Sequence, residues 1–116
     1  MNSNVRRPNR IRPKFTNLLP DLAAEVASLL EQEGRTALAH QVPDLLVRDR
    51  CRCGDSFCGM FYTAPPPDGA WGPGHESIPL DSEKGMIVLD VVEGRISAVE
   101  VLYRDDVREK LLELLP

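Results

Sequence analysis

The side chains of this chain best suited to chemistry are its three cysteines, Cys51, Cys53 and Cys58, read in the run Cys51-Arg52-Cys53-Gly54-Asp55-Ser56-Phe57-Cys58. On an extended strand positions i and i+2 share a side, so Cys51 and Cys53 point together. Gly54-Asp55-Ser56 is turn chemistry. A hairpin loop there returns Cys58 to its neighbours, and three sulfurs converge around one turn. Zinc takes four tetrahedral sulfur or nitrogen ligands. His75, in the loop that follows, is the expected fourth, with His40 the weaker candidate. Such a filled site makes the metal a structural zinc. One Cys-x-Cys with a single later cysteine is less specific than two Cys-x-x-Cys pairs. The plain alternative is that the thiols are reduced and packed as small hydrophobes. A third reading is a redox-active or nucleophilic thiol, because Arg48, Arg50 and Arg52 would favour a nearby thiolate.

Other chemistries find little support. A cysteine nucleophile needs a histidine within hydrogen-bond reach, and the chain has only His40 and His75, neither in a pattern that specifies such a pair. The glycine-rich stretch 69–75 is broken by Pro73 and lacks the Lys-Ser/Thr of a phosphate loop. Counting back from Glu93-Gly94 pairs Val92 with Arg95, which sets Asp90 opposite Ser97 and Glu100 opposite Ile87. Asp49, Asp90 and Glu100 then read as solvent-facing residues of a one-sided sheet. No catalytic residue is assigned, and the expectation is a non-enzyme.

The elements that must hold the cysteines follow from periodicity. Leu22, Val26, Leu29 and Leu30 mark one face of a helix over 18–34, with Pro20 in its first turn and Gly34 at its close. A short helix over 36–41 precedes Pro43. Residues 45–53 alternate as a strand and 57–63 return as its partner. Residues 64–76, with Pro65-Pro66-Pro67 followed by Gly69, Gly72, Pro73 and Gly74, cannot be regular structure. Residues 77–80 form a short edge strand, and 86–92 and 95–103 a tight hairpin. Asp106 with Glu109 resembles a capping box opening the last helix. The fold class is therefore α+β: an antiparallel sheet of four to five strands in two hairpins, with an N-terminal and a C-terminal helix on one face.

At 116 residues the chain has the length of one domain, and 42% apolar with 28% charged residues is ordinary for a globular protein. Residues 1–20 carry Arg6, Arg7, Arg10, Arg12 and Lys14 and no acid, so the overall charge of −4 hides a basic start on an acidic body. Residues 1–16 are expected to be a flexible arm and 17–116 the domain. The expected partner is a protein, engaged by Trp71 on the loop and by Arg10 and Arg12 of the arm, as an immunity-type or other recognition module. Nucleic acid is disfavoured, since the arm lacks interleaved aromatics. No apolar run reaches the ~18 residues that span a bilayer, and no apolar stretch follows the basic start. A cytoplasmic protein, monomer or homodimer, is expected.

The Cys51-x-Cys53-Gly54 hairpin with its third cysteine, followed by GMIVLDVVEGRISAVEVLYRDD, resembles small bacterial proteins of no established function. Those carry a cysteine-rich hairpin and the pattern found here from Gly94 to Val101, and the likeness covers roughly residues 45–106. It implies a bacterial, cytoplasmic origin and a compact α+β fold, and no activity. Its relatives often have a further cysteine just after the Cys-Gly pair; Asp55 stands there in this chain, which makes His75 matter more as a ligand.

Overall fold

The computed structural model describes residues 12–116. In chain order its elements are α1 (Phe15–Leu18), α2 (Pro20–Gln32), α3 (Thr36–Ala39), a 3-10 turn (Val42–Asp44), β1 (Asp49–Arg50), β2 (Phe61–Tyr62), β3 (His75–Leu80), β4 (Met86–Val92), β5 (Arg95–Leu102) and α4 (Asp105–Leu114). The five strands make one antiparallel sheet in the order β1-β2-β5-β4-β3. This is the α+β architecture that the periodicity implies. No described helix is long and apolar enough to cross a membrane.

Strand alternation divides the sheet into two faces. Ile87 and Leu89 of β4, Val99 and Val101 of β5, and Phe61 of β2 join Leu22, Val26 and Leu30 of α2 and Val107 and Leu111 of α4 in one buried cluster. The opposite face carries Tyr62, Asp90, Ala98 and Glu100 by the same alternation. Pro20 opens α2 where its missing N–H costs nothing, and Gly34 leaves the helix at φ +77°.

Several expectations shift. Of the arm expected over 1–16, residues 12–16 are part of the fold and the rest lies outside the described residues. Phe15 is fully buried, with its ring 5.1 Å from that of Phe61, and the Val47 N–H donates to the Pro13 carbonyl at 2.8 Å. Burying such a ring stabilises by on the order of 2–3 kcal/mol. Arg12 is exposed beside this anchor; Arg10 lies outside the described residues. The strands expected over 45–53 and 57–63 contract to β1 and β2, so the cysteines sit in the loop between them. The edge strand begins at His75, two residues before the expected 77. It tolerates Pro79 because, among the described residues, no strand pairs with its outer side. Arg104 is the residue before α4, and no side-chain hydrogen bond caps that helix, so the Asp106–Glu109 capping box does not form.

The β4–β5 hairpin turns at Glu93-Gly94 with φ of 50° and 80°, and Val92 pairs with Arg95 as counted. Past Val91–Ile96 the register slips by one. Ser97 is the extra residue of this bulge, and its carbonyl accepts the N–H groups of Thr63 and Ala64 at 2.9 and 3.1 Å. Asp90 therefore opposes Ala98, and Glu100 opposes Val88. Asp90 is not solvent-facing either, being only 2% exposed.

Candidate metal centre

The cysteine loop is shaped by bonds to the rest of the fold. The Cys51 N–H donates to the Met60 carbonyl at 2.8 Å, closing the neck of the loop just beyond β1. Gly54, at φ +82°, turns the chain, and the Cys58 N–H donates to the Asp55 carbonyl at 3.2 Å. On the outer side the Gly59 N–H reaches the Val101 carbonyl at 2.7 Å and the Tyr103 N–H reaches that of Phe57 at 2.9 Å. Arg108 of α4 adds a 3.3 Å bond to the Asp55 carbonyl. A Cβ on Gly59 would stand 3.1 Å from the Val101 oxygen, so glycine lets the loop lie this close to β5.

The result is a cluster of three sulfurs, all within 4.8 Å of one another, with no disulfide among them. Cys53 is exposed, whereas Cys51 and Cys58 are half-buried. At a zinc–sulfur distance of about 2.3 Å, tetrahedral ligands lie ~3.8 Å apart. The trio thus needs a contraction of at most about 1 Å, within the reach of side-chain rotation. Burial pushes the Cys58 thiol up to about 12, and the neighbouring Cys53 and Cys51 add to the rise. Without a cation Cys58 is a protonated thiol, the reverse of an activated nucleophile; a bound metal is what would deprotonate it. The sulfurs border a small pocket of about 50 Å³ shared with Arg50, Met60 and Arg108.

The arginines do not form the solvent face that alternation implies. Arg50 donates from Nε to the Leu115 carbonyl at 2.6 Å, and Arg52 pairs with Asp49 at 2.8 Å. The chain leaves the strand at Cys51, and this brings Arg52 round to Asp49.

His75 is not brought to the cysteines. It lies on β3, at the sheet edge opposite β1. Four strand spacings of ~4.8 Å put about 19 Å between those edges. Its Nε2 donates to Asp90 Oδ1 at 2.8 Å, and its ring stacks on Trp71 with centroids 5.9 Å apart. His40, after α3, is likewise outside the sulfur cluster, which among the described residues contains the three cysteines alone. Of the four expected ligands, the fold brings together only the three cysteines among the described residues. Trp71 is not a free loop tip. Half-buried, it lies 6.1 Å from the Tyr62 ring as well as against His75, so the proline-glycine loop folds across the second face of the sheet.

Beneath that loop is an arrangement that sequence counting missed. The bulge makes Asp90 and Glu100 diagonal neighbours on one face. Asp90 Oδ2 is buried and lacks any hydrogen-bond donor. A protonated Glu100 carboxyl would supply one. The bond to Asp90, then burial and the Asp90 charge, push Glu100 up to about 7. The Tyr62 hydroxyl is also raised, chiefly by burial and then by Cys51, Cys58 and Asp90, so it lies within electrostatic range of both clusters. The one advance signal was an aspartate inside MIVLDVV, a run otherwise wholly apolar. Comparisons of the sequence and fold with protein-family models, curated proteins and solved structures give no match.

Proposed function

We propose that this protein binds one thiophilic metal ion, zinc in the first instance, through Cys51, Cys53 and Cys58. The observation that carries the reading is the convergence of three free thiols from both arms of one loop to within 4.8 Å. Soft thiolates select zinc, copper(I) and similar ions over magnesium or calcium. With three protein ligands the fourth position is left to water or an exogenous ligand, the arrangement of reactive or exchanging centres more than of closed structural ones. Binding must expel the thiol protons, so apparent affinity rises with pH.

Cobalt(II) substitution tests the ligand set. Titration of the reduced protein should give thiolate-to-cobalt charge transfer saturating at one equivalent, weakened in each single Cys→Ser variant and unchanged in His75→Ala. Retention of the full spectrum in Cys58→Ser, or its loss in His75→Ala, would overturn the three-cysteine assignment.

A further inference from the structure

The small pocket that the three cysteines border has a fourth sulfur-bearing residue in its lining, Met60. The backbone explains its place. Met60 stands opposite Cys51, whose N–H donates to the Met60 carbonyl at 2.8 Å. Cys58 pairs with Leu102 and Phe61 with Val99, three residues on in each strand, so 58–61 keeps strand register. Cys58 and Met60, two residues apart, therefore share a side. Phe61 turns the other way into the core and is fully buried, whereas Met60 is half-buried. An unbranched thioether with three rotatable bonds adapts readily to what lies beside it.

The nitrogen donors of the chain are engaged elsewhere. His75 is bonded to Asp90. His40 precedes Gln41, whose side chain bonds the Gly94 carbonyl and the Ile96 N–H. That is the opposite end of β5 from the cysteine loop, which bonds Val101 and Tyr103. The donors near the thiols are thus sulfur throughout. Zinc draws on thiolate, imidazole and carboxylate. Copper(I) takes thiolate and thioether alike.

Resting on the three-thiol reading of Cys51, Cys53 and Cys58, we propose that the ion this site selects is copper(I), with the Met60 thioether as a weak fourth ligand. Zinc leaves the fourth position to water, whereas copper(I) lets Met60 take it. The charges of the lining agree. Arg50 and Arg108 both line the pocket, and each donates its Nε–H to a backbone carbonyl, Leu115 at 2.6 Å and Asp55 at 3.3 Å. A carbonyl leaves the guanidinium charge uncancelled, and of the acids only Asp55 shares the lining. Three thiolates around a monovalent ion carry two negative charges, one more than around zinc, so these arginines offset more in the copper(I) complex.

The test uses the full-length reduced protein without oxygen, with cobalt(II) bound first and copper(I) added as its acetonitrile complex. One equivalent of copper(I) should abolish the thiolate-to-cobalt band. Affinities are then measured in the parent and in Met60→Leu, a swap that keeps the volume. Copper(I) is read by competition with bicinchoninate, and cobalt(II) by its own band. The ratio of copper(I) to cobalt(II) affinity should fall about tenfold in Met60→Leu, the scale of losing a supporting group at a metal. It should hold in Met86→Leu, whose thioether is outside the pocket lining. A loss common to both ions, from a displaced loop, cancels in the ratio. A cobalt band that survives one equivalent of copper(I), or a ratio unchanged in Met60→Leu, would overturn the copper(I) assignment and leave the three-thiol site standing. Binding of neither ion would overturn the three-thiol reading and this inference with it.

Discussion

Asp90 keeps one oxygen on His75, and its other oxygen is buried with no hydrogen-bond partner. Glu100 is held protonated up to about 7, against 4.5 ordinarily, first by its bond to Asp90. Its folded pKa is above its unfolded one. The stability it contributes is therefore complete below about 4.5 and is lost as pH rises through about 7. Glu100 is partly open to water, so the effect is about 1 kcal/mol after screening. Thermal melts across pH 4.5–8 should show this decline, and Glu100→Gln, which keeps the donor without the charge, should remove it; an unchanged profile in the variant would refute the shared proton. At this scale the sequence displayed the cysteines' spacing but not the carboxyl pair, because a one-residue bulge at Ser97 set the diagonal.

Gly59 governs the element that presents the cysteines. Gly59→Ala places a Cβ 3.1 Å from the Val101 oxygen, with Val107 at 3.4 Å behind it, so the loop must lift from β5. A loss of about 1–2 kcal/mol is expected in denaturant unfolding, with weaker metal binding. The proline-glycine loop is a second such element. Trp71 rests on Tyr62 and His75, so its fluorescence should be blue-shifted and protected from quenchers in the free protein. Emission typical of free tryptophan would restore it as an exposed partner anchor. Helix α2 and the β4–β5 hairpin were legible because each carries its own periodicity and turn residues. The first hairpin was not: β1 and β2 pair over two residues each, and the loop between them bonds outward to β5 and α4.

For the molecule as a whole, strand order decides which residues meet. The order β1-β2-β5-β4-β3 sets the cysteine loop beside β1 and the Val101–Tyr103 end of β5 and puts His75 on the far edge strand, a separation that no spacing in the chain discloses. One face is sealed by helices, while the other holds the carboxyl pair under the Trp71 loop. The metal proposal accordingly rests on three sulfurs alone. The most direct test is elemental mass spectrometry of untagged protein, purified reduced and without chelator, beside the Cys58→Ser variant. The account requires about one zinc or other thiophilic ion per chain in the parent and a clear loss in the variant. A parent free of metal that also fails to take up added zinc would contradict it, and the three thiols would then be no more than neighbours.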